Sequence, residues 1–358
     1  MNPERIPYPS NGAELITGHN LHRQVFSLDM KRCTVIFTDK NKADSRHSLK
    51  HFTGTVLLVL LVATFFPACS RHESRLDSGK LKVVATIYPL YDFVRVVGGD
   101  AVELHLLLPP GVEPHSFEPR PEDMMTVAKA DIFIYTNSGM EPWAEKLLSG
   151  VTRNGKPVKI EAGQGTRAIN AADAEGHDHK NGAKDPHVWL DIANAMLMID
   201  TVANALAEGV PAKKELFKAN AAAYKVRLKT VDDRFRSELA DCATREFIHG
   251  GHYAFAYLAE RYNLHYLSAY GVSADSEPSP KKMMALIDTI RRHKLTSVFY
   301  EELLSPAVAR SVAAETGATL LKLHGIHNIT RQELESKTSY IDLMEQNLAA
   351  LRKGLVCR

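Results

Sequence analysis

The sequence predicts an α/β protein of two lobes, each with a mostly parallel four-stranded sheet flanked by helices, joined by one long rigid helix. Three observations carry this. From Lys80 onward, short branched apolar runs alternate with runs of helical spacing. The alternation occurs twice, with four strand-like runs each time. Between the two sets lies a long stretch of good helix formers with no internal Gly or Pro.

In the first set the strands are "KVVATIY" (82–88), "VELHLLL" (102–108), "DIFIYT" (131–136) and "PVKIEA" (157–162), bounded by Gly, Pro or polar residues. "RPEDMMTVAKA" (120–130) carries apolar residues at helical spacing, and "EPWAEKLL" (141–148) does so over a shorter span. The second set repeats the scheme with "EFIHGG" (246–251), "HYLSAYG" (265–271), "SVFYEE" (297–302) and "ATLLKLH" (318–324). Its helices include "YAFAYLAERY", "SPKKMMALIDTIRRH" and "SPAVARSVAAET". Ser279 and Ser305 each precede a proline, a cap followed by a residue suited to the first helical turn. Continuous apolar strands separated by helices imply parallel sheets covered on both faces.

The linking stretch runs from Pro211 to Ala240, with apolar residues at 216, 217, 224, 228, 231 and 235. At 1.5 Å per residue it would reach roughly 40 Å, the length of a small domain. It reads as a strut between lobes, though a helix packed within one lobe fits the pattern equally. The domains expected are 1–79, a leader and tether; 80–210, the first lobe; 211–240, the linking helix; and 241–358, the second lobe.

Of 358 residues, 45% are hydrophobic and 24% charged, with 44 Lys+Arg against 42 Asp+Glu. Residues 1–69 hold eight of the bases and five of the acids, so 36 and 37 remain beyond them. That balance excludes a polyanion such as nucleic acid as partner. A mean hydropathy of −0.19 excludes a multi-span membrane protein. One apolar stretch stands out, "VLLVLLVATFFPAC" from Val56 to Cys69, shorter than the ~20 residues of a spanning helix. Arg46, Lys50 and His51 precede it and a polar segment follows, which is the order of a secretory signal. Cys69, directly after the small Ala68, resembles the lipidated cysteine of a bacterial lipoprotein, although Phe66 and Pro67 match that pattern poorly. Met30 is a second possible start.

Export places the remaining Cys242 and Cys357 in an oxidising compartment, where a disulfide is favoured over two buried thiols. "GQGTRAINAADAEGHDHKNGAKD" (163–185) is small, polar and Gly-rich, and reads as a mobile surface loop carrying His177 and His179.

Twelve of the 16 histidines lie beyond residue 69, several where strands should end. His115 follows strand 102–108 in "GVEPHSFEP", between prolines that stiffen the loop. His187 in "DPHVWLD" again comes straight after proline, His252 closes 246–251, and His324 closes 318–324 in "LKLHGIHN". In parallel α/β architecture ligands collect at the carboxyl ends of strands, so a cleft between lobes would let all four converge. A nitrogen-dominated set suits zinc better than magnesium, calcium or manganese. Four imidazoles complete its usual tetrahedron. No local zinc motif such as HExxH or CxxC is present, and each histidine taken singly reads equally as a surface or hydrogen-bonded residue.

The stretch from Lys80 to the end resembles the zinc/manganese-type solute-binding proteins of bacterial ABC transporters. The matching pieces are "VVATIYPLYDFVRVVGGD", "LLPPGVEPHSFEPRPEDM", "DPHVWLDIANA", "HGGHYAFAYLAERYNL", "EPSPKKM" and "YIDLMEQNLAALRKGL". The resemblance implies two α/β lobes on one long helix, with metal held between them by His115, His187 and His252. Manganese-type relatives often carry a carboxylate at the third position; histidine here leans towards zinc. At the fourth, many relatives carry an aspartate where this chain has His324, the expected ligand, with His327 or a water as competitors. The loop with His177 and His179 resembles the longer histidine-rich loop of zinc-type members.

The function implied is Zn2+ bound as transported ligand and delivered to a membrane permease by an exported monomer, in the periplasm or on the outer face of the membrane, with no catalytic step. Manganese carriage and surface adhesion are the alternatives within the fold; a zinc hydrolase is the rival of another class. Among further residues, His249 reads as a backbone-bonded structural histidine or a partner to a ligand imidazole. Glu277 reads as a helix start, Trp189 as a shield beside His187, and Tyr340 and Met344 as inward-facing residues of the last helix.

Overall fold

The computed structural model describes residues 79–170, 184–272, 279–302 and 305–358. The leader with Cys69, the loop histidines His177 and His179, and Glu277 lie outside the described residues.

Two four-stranded parallel sheets form. The first contains β1 (Leu81–Ala85), β2 (Val102–Leu106), β3 (Ile132–Tyr135) and β4 (Val158–Glu161), in the order β2-β1-β3-β4. The second contains β5 (Glu246–His249), β6 (His265–Ser268), β7 (Ser297–Tyr300) and β8 (Thr319–Lys322), in the corresponding order β6-β5-β7-β8. Seven of the eight strands fall within the apolar runs read from sequence, β1 starts one residue before its run, at Leu81, and all eight end earlier than those runs. The residues left over at the carboxyl ends form the loops that carry the histidines.

Helices cover the sheets. The first lobe has α1 (Tyr88–Gly98), α2 (Pro121–Ala128), α3 (Ala144–Val151) and α4 (Ile192–Gly209). Then come α5 (Lys214–Glu238), α6 (Ala256–Arg261), α7 (Pro280–His293), α8 (Ala307–Thr316), α9 (Arg331–Glu335) and α10 (Tyr340–Gly354). Ser279 caps α7 through the main-chain N–H of Lys282. Ser305 caps nothing: α8 begins a residue later, with Pro306 in the cap position. Helices α1 and α4 escaped the sequence reading. In α1, Val94, Val96 and Val97 are β-branched residues that give no helical signal of their own, and burial of one face decides the matter.

The long helix α5 is no free strut. Its buried face, Phe217, Ala221, Tyr224, Leu228, Val231 and Phe235, packs against α4, α1 and the C-terminal helix α10. One apolar core runs from the first sheet through α1, α4 and α5 to α10 and the inner face of the second sheet, from Leu81 to Leu355. A smaller core lies under the outer face of the second sheet, around Ile248, Leu286, Ile290 and Val298. The lobes therefore share a core.

Polar ties cross the same boundary. Arg261, at the end of α6, grips Asp232 of α5 through Nε and a terminal nitrogen at 2.7 Å each and reaches Asp191, the cap of α4, at 2.8 Å. Tyr262 donates its hydroxyl to Asp232 at 2.9 Å. Burial acts to raise the Asp232 carboxyl, but the bonds from Arg261 and Tyr262 outweigh it and hold the group below its ordinary value. A carboxylate depressed in the fold contributes stability that is present above its unfolded value, near 4, and lost as pH falls through the folded one. Thermal midpoints measured from pH 6 downwards should therefore decline more gently in Asp232→Asn, from a lower plateau; an acid limb identical to wild type would remove Asp232 from the account.

Cys242 and Cys357 are joined by a disulfide, pinning the segment after α10 to the segment before β5. A cross-link closing a loop of this length is worth roughly 4–5 kcal/mol in the chain-entropy account. The ends of the polar loop are also drawn together, by an Asn170–Lys184 bridge and the Asp185 N–H on the Ile169 carbonyl.

Candidate metal centre

The carboxyl ends of both sheets supply the site. The loop after β2 is held from both lobes: Leu107 and Leu108 continue pairing with Ala85 and Thr86, while Gly111 donates to the Ile329 carbonyl. Asn328 spans the gap, donating to the carbonyls of Pro109 (2.8 Å) and Val112 (2.6 Å). Trp143 donates its indole N–H to the Pro114 carbonyl at 2.8 Å and packs its ring on Phe117. The prolines stiffen this loop, and these bonds aim it. His115 is left half-buried at its tip.

His187 opens a short 3-10 turn before α4 and is fully buried. Asn137 donates to the Pro186 carbonyl and Tyr257 to that of Asp185, so both lobes position this loop too. His252 follows β5 and is buried, with its carbonyl accepting from the Tyr266 hydroxyl.

His115, His187 and His252 meet. The His187 Nε2 lies 3.3 Å from the His115 Nε2 and 3.2 Å from that of His252. Among the described residues, this is the group of His, Cys, Asp or Glu side chains, three or more strong, whose ligand atoms lie close enough to share one metal ion. Ligands ~2.0–2.1 Å from a tetrahedral zinc are separated by ~3.3–3.4 Å, the edge of the tetrahedron, and these nitrogens are spaced accordingly.

His324 does not join them. Its main chain is clamped by Asn347 of α10, which accepts from its N–H at 2.6 Å and donates to its carbonyl at 2.8 Å. Its Nδ1 accepts from the Ile326 N–H at 2.9 Å and lies 3.1 Å from Glu302, and its Nε2 lies 3.5 Å from Glu333. The competitor His327 is the one beside the cluster, with its ring 5.4 Å from that of His252. It is buried, and neither ring nitrogen has a hydrogen-bond partner. His249 shares that lack of partners, so it is the place of the His327 ring beside His252, together with its unpaired nitrogens, that makes it the candidate. Gly325 makes its position possible, since a Cβ there would sit 2.7 Å from the His327 Nδ1.

Carboxylates stand behind the histidines. Asp185 Oδ1 accepts both the main-chain N–H of His187 (2.9 Å) and lies against its Nδ1 (2.8 Å). Glu301, directly after β7, accepts the His252 N–H through Oε1 (2.8 Å) and meets its Nδ1 through Oε2 (2.6 Å). Glu113 accepts the His115 N–H at 3.2 Å. None of these acids was singled out from sequence, yet two were signalled: Glu113-Pro114-His115 and Asp185-Pro186-His187 repeat one acid–proline–histidine tripeptide. Glu301 arrives from a different strand and left no such mark.

Burial holds the His187 imidazole well below its ordinary pKa, and the neighbouring imidazoles lower it further. Burial raises Asp185 to about 7. For His252 burial acts to lower the value, but Glu301 overcomes it, so the pair favours the charged form of each. His249 is fully buried against Phe255 and Tyr266 with neither ring nitrogen bonded, and burial drives it down to about 4. It packs as a buried ring against Phe255 and Tyr266, close to the main chain of His252.

Trp189 has no exposed surface, sits beside the His187 ring at 5.5 Å, and donates its indole N–H to the Gly325 carbonyl at 2.9 Å. It covers the site and also ties the first lobe to the loop of the second. Tyr340 and Met344 are buried as read, and Tyr340 donates its hydroxyl to the Trp189 carbonyl at 2.6 Å.

Known proteins resemble the chain over most of its length. The chain is 34% identical over 306 residues to the zinc-binding lipoprotein AdcA of Streptococcus pneumoniae, covering 84% of this chain and 60% of that protein. It is 32% identical over 309 residues to the high-affinity zinc uptake system protein ZnuA of Bacillus subtilis, covering 84% and 95% respectively. The crystal structure of the Zn(II)-bound ZnuA-like domain of S. pneumoniae AdcA superposes with a TM-score of 0.66 at 32% identity, over 77% of this chain and 99% of that one. The chain thus spans about three fifths of the length of the streptococcal relatives. The model of one family, ZnuA, described as zinc-uptake complex component A, periplasmic, matches residues 83–354, and to that family this chain belongs.

Proposed function

We propose that this chain is an exported zinc receptor that captures Zn2+ between its lobes and hands it to the membrane permease of an ABC transporter, without a catalytic step. The observation that carries the reading is that the Nε2 of His187 lies one tetrahedral edge from the Nε2 of both His115 and His252, with ligand atoms of all three within 4.8 Å of one another, drawn from three loops and both lobes. His327, buried and unsatisfied beside them, completes the set in preference to His324, whose ring is engaged by the Ile326 N–H and Glu302.

A closed set of four nitrogens leaves no open position for an activated water, which suits carriage over hydrolysis. Zinc is the metal named for both curated relatives and for the superposed domain, and a wholly imidazole set favours zinc over manganese. The shared core and the Arg261 bridge make the two lobes one body, so the cation meets a preformed cage, open where His115 is half exposed. The lipoprotein relatives support anchoring through Cys69, with residues 1–79 as leader and tether, lobes at 80–210 and 241–358, and 211–240 linking them.

The test is metal analysis of the purified chain with competition titration against Mn2+. One zinc per chain is expected, held more tightly than manganese; the reverse order would make it a manganese receptor. His327→Ala should weaken zinc binding ~10- to 100-fold or more and His324→Ala far less, by analogy with ligand and outer-shell losses. The opposite ranking would restore His324 as the fourth ligand.

A further inference from the structure

The histidines of the centre are held by acids in a way that differs from ordinary surface ion pairing. Asp185 and Glu301 are 1% and 2% exposed, and among the described residues neither pairs with a lysine or arginine. Each accepts its histidine's main-chain N–H and brings a carboxylate oxygen close to Nδ1, at 2.8 Å for Asp185 and 2.6 Å for Glu301, so the acid stands against both the backbone and the ring. One couple, Asp185–His187, belongs to the first lobe; the other, Glu301–His252, to the second. Space is reserved for the latter. A Cβ on Gly251 would lie 2.1 Å from the Glu301 Oε1, so only glycine lets the carboxylate reach the His252 N–H.

A carboxylate facing Nδ1 favours that nitrogen as the one to keep its proton when a metal binds, so that Nε2, the atom each ring presents to its neighbours, offers the lone pair. Charge completes the argument. A dication held by neutral imidazoles brings +2 into a buried pocket, which is expensive unless countercharge lies close. Two carboxyl groups, each one imidazole away, are placed to supply that countercharge.

The geometry points to Asp185 and Glu301 as a pair of positioning residues, one per lobe, that commit His187 and His252 to bind through Nε2 and together neutralise a bound divalent cation. This rests on the metal-receptor reading above and adds the source of its charge balance.

The experiment compares wild type with Asp185→Asn, Asp185→Ala and Glu301→Gln, using Zn2+ competition against a chromophoric chelator and the visible spectrum of the Co2+-loaded chain. Circular dichroism and thermal melting of the metal-free proteins check folding, and the near-isosteric Asn and Gln variants are chosen to preserve it. Expected are losses of ~10- to 100-fold in Zn2+ affinity for each variant, with altered Co2+ bands. Asp185→Asn, which keeps an acceptor oxygen, should lose less than Asp185→Ala. Folded variants that match wild type in affinity and Co2+ spectrum would overturn the inference while leaving the receptor reading intact. A wild-type chain that takes up neither metal would overturn both.

Discussion

His187→Ala is expected to lower Zn2+ affinity by ~10²- to 10³-fold and to do so more severely than His115→Ala. Zinc held by a complete protein set is worth about 10–16 kcal/mol in small metal-folded domains. A quarter share is ~3–4 kcal/mol, and 1.4 kcal/mol is a factor of ten. His187 should sit at the upper end for two reasons. Its Nε2 is the one within 3.3 Å of both other members, so its loss leaves no adjacent pair at the measured spacing. Its removal also takes the ring nitrogen away from the buried Asp185, leaving that carboxyl only the main-chain N–H of residue 187. His115, half exposed, is where a water can enter in place of the lost nitrogen. Chelator competition at constant pH measures the ratio directly. A His187→Ala chain with wild-type affinity would place the metal elsewhere.

Trp189→Ala carries the largest expected effect on stability. A fully buried tryptophan reduced to alanine typically costs about 3–5 kcal/mol. For a body of this size that corresponds to a fall of roughly 10 °C in thermal midpoint. The indole also supplies the N–H that holds the Gly325 carbonyl, two residues from His327, so the damage should reach the metal. Trp189→Phe separates the two contributions: it retains most of the apolar surface and deletes the donor. Its melting point should lie much nearer wild type than that of Trp189→Ala, while its zinc affinity should still fall several-fold. If Trp189→Ala melts within about 2 °C of wild type, the core shared by the lobes is not what holds them together.

Both predictions depend on features that differ in how visible they were. The strands were legible because parallel sheets covered on both faces demand continuous branched apolar runs, and "DIFIYT" or "SVFYEE" admits few other uses. Three histidines were legible through their loops: the prolines beside His115 and His187 and the glycines before His252 mark rigid or tight turns at strand ends. His324 and His327 show the limit. In "LKLHGIHN" two histidines lie three residues apart, and nothing local says which ring turns inward. That is decided by Asn347, 23 positions away on α10, which clamps the His324 backbone, and by Glu302, which occupies its ring. His327 is then the ring carried to the cluster, over a glycine that gives it room.

The linking helix marks the same division. Its composition pointed to a helix over 211–240, because propensity and the absence of breakers act within a few turns, and residues 214–238 form it. Whether it stood free or lay in a core depended on α1, α4 and α10 meeting its apolar face, a matter of chain segments more than a hundred residues apart. By itself, then, the sequence determined the two α/β sheets, the long helix and the imidazole chemistry, since each follows from local pattern or residue type. Only the tertiary structure decided which nitrogens come within one tetrahedral edge, which carboxylates stand behind them, and that the lobes share one core. Those are distances between remote parts of the chain, and no local spacing encodes them.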